Sequence, residues 1–143
     1  MTDIVFSERE RTSRGKVRCG YCDRTITKGT RYWEVRGTDS GYAYTWRECP
    51  ACQDAYPYVY DWDKPDYHLN EVVEPECFWE WAHEVLEMVG INAYDILESG
   101  IDDRALALAA DNPQAQAALR WVERTSPALH PDGITNTQEE TRS

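Results

Sequence analysis

Three features of this 143-residue chain predict an α+β fold. Two Cys-x2-Cys pairs, Cys19/Cys22 and Cys49/Cys52, stand 26 residues apart. The residues between them alternate in the manner of strands, and beyond residue 75 the apolar positions recur with the helical period. The predicted organisation is a basic N-terminal arm at 1–15, a four-cysteine module at 16–58, an acidic aromatic linker at 59–68, a helical subdomain at 69–124 and a disordered tail at 125–143.

The arm and the start of the module are basic: residues 1–36 carry nine Lys and Arg against five Asp and Glu. The remaining residues carry six against 21, so the overall charge of -11 belongs to the second part of the chain. A surface of that sign repels phosphates, which excludes residues 37–143 as a nucleic-acid or anionic-membrane binder. No apolar run approaches the ~18 residues of a spanning helix, and the N-terminus lacks the apolar core of a secretory signal. A cytoplasmic protein is expected. In that reducing setting the cysteines serve as thiols or metal ligands rather than disulfides.

Two turns that each offer two thiolates can converge on one tetrahedral ion. Four sulfurs favour zinc. With all four positions taken the ion is structural, and Cys19, Cys22, Cys49 and Cys52 are its predicted ligands. A redox Cys-x2-Cys of the thioredoxin type lies between a strand and a long helix within a βαβ unit, a context that neither pair has. Between the pairs, a turn at Lys28-Gly29 precedes a strand with Trp33 and Val35 on one side and Tyr32, Glu34 and Arg36 on the other. GTDSG at 37–41 is a turn signal, and the next strand aligns Tyr42, Tyr44 and Trp46. Pro50 then suits the first position of a short helix, which Pro57 is expected to end.

Knuckle, β-hairpin and a helix carrying the second pair is the order of a treble clef. On the pattern C-G-Y-C-x3-Ile26-x2-Gly29-x2-Tyr32 followed by TWREC-PAC, residues 16–56 resemble the small treble-clef zinc proteins of bacterial and phage genomes. That resemblance implies one structural zinc and, for function, an accessory or regulatory role, since treble clefs serve many unrelated activities.

Enzyme chemistry has little support in the sequence. Residues 23–48 contain no histidine, which removes the general base of a His-Asn-His nuclease, and no phosphate loop or nucleophile elbow occurs. A second metal held by Asp61, Asp63, Asp66 and His68 would make a hydrolase, the third-ranked reading; a solvated acidic loop is the simpler account. Cys77 at a helix start reads as a small buried residue.

Residues 54–68 interleave Tyr56, Tyr58, Tyr60, Trp62 and Tyr67 with four aspartates, and two prolines argue for an extended segment. Either these rings pack on the zinc module or they form an aromatic surface, rimmed by carboxylates, for a protein partner with a basic surface. Binding to a protein is the first-ranked function. The second is a nucleic-acid-binding zinc finger that uses the basic 9–36 face, with Arg9, Arg11, Arg14, Lys16, Arg18, Arg24, Lys28, Arg31 and Arg36 on phosphates and Tyr32 or Trp33 stacking a base.

Phe78, Trp81, Ala82, Val85, Leu86 and Val89 form one stripe of a helix from about 75 to 89, which Gly90 stops. Shorter helices follow in INAYDILES and IDDRALALAA, and Asn112-Pro113 caps a last helix reaching about Arg124. Seven alanines between 105 and 118 predict a close antiparallel pairing of the last two segments. With three Arg, no Lys and ten acidic residues, 75–124 is no DNA-reading helix-turn-helix.

Overall fold

The computed structural model describes residues 4–63 and 74–134. The segment expected to be a basic arm enters as a strand, β1 (Ile4–Thr12). It pairs antiparallel with β2 (Arg31–Asp39), which pairs antiparallel with β3 (Tyr42–Glu48), giving the order β1-β2-β3 with a bulge between Val5 and Ser7. The arm is ordered because its alternating charges meet complements across the ladder: Glu10 pairs with Arg31 at 3.0 Å and Arg11 with Glu34 at 3.2 Å. Between β2 and β3 the loop is tighter than the five-residue turn expected. Ser40 (φ 54°) and Gly41 (φ 87°) suffice, as in a type I′ hairpin whose twist matches its strands.

Helix α1 spans Pro50–Asp63 and runs straight through Pro57, which corrects both the expected stop there and the expected extended segment beyond it. Ala51, Cys52, Ala55 and Val59 form its buried stripe, and the Tyr56 and Tyr60 rings stack at 6.0 Å one turn apart. Pro57 lies on the exposed side, where the carbonyl that loses its helical partner can bond to water. Tertiary burial of one face has overridden the local preference of the other.

The helices α2 (Pro75–Met88), α3 (Ala93–Ser99), α4 (Asp103–Leu108) and α5 (Pro113–Thr125) complete the five among the described residues. Four of their boundaries are closed by hydrogen bonds from local side chains or backbone. Asn92, Asp102 and Asn112 accept the amides of Tyr94, Ala105 and Ala115 at 2.8, 2.8 and 3.0 Å. At the end of α2, Ile91 N–H bonds the Leu86 carbonyl and Gly90 N–H that of Glu87, a Schellman closure. Contrary to the expected alanine pairing, α5 packs chiefly on α2, α1 and α3. At six residues α4 is only about 9 Å long, too short to lie along a thirteen-residue neighbour.

One core joins sheet, knuckle and helices. Tyr21 meets Phe78 at 4.5 Å between ring centroids, and Phe78 meets Trp121 at 5.8 Å; Trp81, Leu86, Leu119 and Val122 fill the space around them. Part of the segment expected to be a disordered tail belongs to this body. Ser126 and Ile134 are fully buried, and Ile134 forms a parallel bridge to Ile26, with its N–H on the Thr25 carbonyl at 2.8 Å and its carbonyl accepting Thr27 N–H at 3.0 Å. The apolar Ile134 supplies burial that the polar residues around it conceal in composition. The expectation for 135–143 lies outside the described residues, as does that for 64–68 of the linker and 69–73 of the helical segment.

Candidate metal centre

The first pair sits in a knuckle closed by its own backbone. Cys19 N–H bonds the Arg24 carbonyl at 2.9 Å, and Asp23 N–H returns to the Cys19 carbonyl at 3.0 Å. The knuckle is fastened to the sheet through Gly20, whose N–H donates to the Arg47 carbonyl at 2.7 Å. Only glycine fits there, since a Cβ would stand 2.6 Å from the Trp46 ring. Cys49 follows the last residue of β3, and Cys52 lies in the first turn of α1, where the helix dipole favours a thiolate.

The four sulfurs lie within 4.8 Å of one another. Cys22 and Cys49 Sγ are 3.8 Å apart, about the edge of a tetrahedron built on metal–sulfur bonds of ~2.3 Å. Cys19, Cys49 and Cys52 are buried and Cys22 half-buried. Three N–H groups serve the sulfurs: Tyr21 and Cys49 amides donate to Cys19 Sγ, and Trp121 Nε1 to Cys52 Sγ, each at 3.4 Å. The electrostatics fit the same donor set. Hydrogen bonds from the Cys22, Cys49 and Cys52 thiols push Cys19 far down. The shared proton network pushes Cys49 up, and burial pushes Cys52 up. Four thiols this close cannot all ionise without a cation among them, and one metal ion resolves that conflict. These four cysteines can therefore hold one metal ion, and they are the one cluster of three or more potential ligands among the described residues.

The other expected site residues are placed differently. Tyr56, Tyr58, Tyr60 and Trp62 are half-buried on α1 and packed against the core; Tyr58 stacks on Trp81 at 6.3 Å and Tyr56 meets Tyr21 at 5.9 Å. Tyr67 lies outside the described residues. Of the hydrolase set, Asp61 is exposed in the last turn of α1, which Asp63 closes, while Asp66 and His68 lie outside the described residues.

The expected basic face is not one surface. Arg14, Lys16 and Lys28 are exposed around the loops at 13–16 and 27–30; Arg18 pairs with Asp23 at 3.3 Å; Arg24 donates to the His130 carbonyl; Arg31 pairs with Glu10; Arg36 reaches Glu34 on the sheet. Cys77 is half-buried against the core.

Two features were hidden from sequence reasoning. One is a groove of about 780 Å³ on the side of the sheet that faces α1, walled by Val35, Tyr42, Tyr44, Trp46, Tyr21 and Tyr56, with Asp39 at the hairpin end and Glu48 at the knuckle end. Burial, helped by the negative charge at Cys19, pushes the Glu48 carboxyl up to about 7. The alternation of Tyr42, Tyr44, Trp46 and Glu48 was its visible signal. The other is Glu34, a carboxylate 2% exposed on the opposite side of the sheet, surrounded by Arg11, Arg36 and Arg47. Comparison with protein-family models, curated proteins and solved structures finds no match.

Proposed function

We propose that this chain is a small non-enzymatic zinc protein, built as a treble clef, that binds a protein partner through a cationic segment laid in the aromatic groove. The groove carries this reading. Five aromatic rings and Val35 offer apolar contact, Asp39 places an exposed carboxylate at one end, and a cation at the other would draw the proton from Glu48, so a Lys- or Arg-bearing segment is favoured by charge and by ring faces together. The acceptor surface thus combines β3 with Tyr21 of the knuckle and Tyr56 of α1, instead of the 54–68 segment alone. Beyond the groove, Thr45 and Ala43 present backbone groups on the open edge of β3, since Arg47, which shares their side of the strand, bonds away from β2 to Gly20. A bound strand can extend the sheet there.

Zinc suits four thiolates in tetrahedral spacing, and a closed sphere leaves no position for a substrate. The ion supports the scaffold that aligns knuckle, β3 and α1 around the groove. A cytoplasmic location suits four reduced thiols, and an accessory regulator of bacterial or phage origin suits the resemblance noted from the sequence.

The test is selection of peptides from a random displayed library on the zinc-loaded protein. The selected peptides should be rich in Lys and Arg, and Tyr42→Ser with Asp39→Asn should weaken their binding at least about tenfold while zinc content stays at one per chain. Peptides without cationic preference, or binding untouched by the double substitution, would defeat the proposal.

A further inference from the structure

The opposite side of the sheet carries a second, separate surface. Antiparallel registration brings Ser7, Arg9 and Arg11 of β1, Glu34, Arg36 and Thr38 of β2, and Thr45 and Arg47 of β3 to one face. Glu34 accepts Arg11 Nη1 at 3.2 Å and Arg36 Nε at 3.1 Å, and Arg47 Nε stands 3.4 Å from its other oxygen. Three guanidinium groups thus share one carboxylate. Arg9 is the direct cross-strand neighbour of Glu34, is exposed, and has no ion pair among the described residues. Four positive charges face one negative charge, with no other acid among the strand residues of this face.

We infer that this face binds the phosphodiester backbone of a nucleic acid. The arginines around Glu34 are 36%, 49% and 32% exposed, and each has spent little of its five-donor fork on the carboxylate. Held in place by Glu34, they meet an anion without the rotamer entropy a free arginine loses. Planar forks that grip phosphate oxygens in pairs, flanked by the hydroxyls of Ser7, Thr38 and Thr45, are the donor set of backbone contact. A protein partner is disfavoured because none of the described side chains of this face is an exposed aromatic or large apolar anchor, Tyr32 being buried. The acidic helices do not forbid the contact, since at physiological salt the field of an exposed charge fades within about 8 Å. Of the basic residues of the 9–36 segment, Arg9, Arg11 and Arg36 lie here, and Arg47 joins them from the stretch beyond residue 36 whose net charge argued against phosphates.

Fluorescence anisotropy with labelled single-stranded and duplex oligonucleotides tests this on the zinc-loaded chain. Binding should weaken as salt rises from about 50 to 200 mM, with a slope of about -2 to -3 in log K against log salt, as a few phosphate contacts require. Arg9→Gln should reduce that slope by about one. Thr45→Asp, which sets an anion among the guanidinium groups at an exposed position, should abolish binding with zinc content and circular dichroism unchanged. Lys28→Gln, off the face, should have no effect. Absence of binding at low salt, equal losses from Lys28→Gln and Arg9→Gln, or equal affinity for polyglutamate or phosphatidylserine vesicles would each overturn the inference.

Discussion

The indole Nε1 of Trp121, on α5, donates to the Sγ of Cys52 at 3.4 Å. A residue sixty-nine positions downstream thereby reaches one of the four sulfurs that can hold a metal ion, and the helical part of the molecule is bonded to the sulfur cluster rather than merely leaning on it. Donors to ligating atoms typically contribute 10–100-fold to metal affinity. Trp121→Phe keeps most of the packing and deletes the donor. It should lower zinc affinity by about tenfold in chelator competition with helix content preserved; unchanged affinity would show that the contact does not reach the metal.

Pro57 occupies the middle of α1 on its exposed side. Restoring the missing N–H by Pro57→Ala should raise stability by about 1–3 kcal/mol, the helix-interior penalty of proline less the gain in freedom of the unfolded chain. Denaturant unfolding of the two zinc-loaded chains measures it. A destabilised variant would mean that the proline ring itself packs usefully.

For Glu34, burial alone would raise the carboxyl, but the Arg11 hydrogen bond and the Arg36, Arg11 and Arg47 charges outweigh it and hold the group below its ordinary 4.5. A depressed folded-state value contributes stability above the unfolded value, and that stability is lost as pH falls through the folded one. Glu34→Gln should therefore cost about 2 kcal/mol at neutral pH, less than the 3–5 kcal/mol of a fully buried pair because the guanidinium groups are partly hydrated. The gap between the two chains should close once pH drops below the carboxylate range. Urea unfolding at neutral and acidic pH, compared chain against chain, cancels the metal loss common to both.

Gly133 approaches the Thr25 carbonyl so closely that a Cβ would stand 2.1 Å from the oxygen, and its φ is +124°. Gly133→Ala should lift Ile134 from Ile26 and lower the melting temperature by several degrees, as a loss of about 2 kcal/mol does in a domain of this size. Hydrogen exchange at the Ile134 and Thr27 amides should accelerate in the same variant. Protection retained at both would mean that the segment tolerates the shift.

Much of this architecture was legible because single residues carried it. The cysteine spacing, the Asn112-Pro113 cap and the Phe78–Leu86 stripe are local signals that need no distant partner to be read. What stayed hidden depended on partners distant in sequence. β1 has no alternating apolar face; its pattern is alternating charge, which acquires meaning only opposite Arg31 and Glu34. Pro57 gave the right local argument, and burial of Ala55 and Val59 overruled it. The aromatic segment was ambiguous between core and surface, and the structure divides it: Tyr58 stacks on Trp81, while Tyr56 contributes one wall of a groove whose other walls come from β2, β3 and the knuckle. Arg47, next to the second cysteine pair, carries no local sign of a role beyond its strand. Its place beside Glu34 follows from register, which composition does not contain.

The bridge between Ile26 and Ile134 sets an order of events during synthesis. The Thr25–Thr27 segment beside the first cysteine pair keeps its backbone partners vacant until more than a hundred further residues have left the ribosome. Cys52 likewise waits for Trp121. A nascent chain can gather its four thiols around an ion once α1 has emerged, but that early centre would hold its metal loosely and remain open to chelators. Tight retention would mark the finished chain, so the exchange rate of the bound ion would report, from the first half of the protein, whether the second half has arrived and docked.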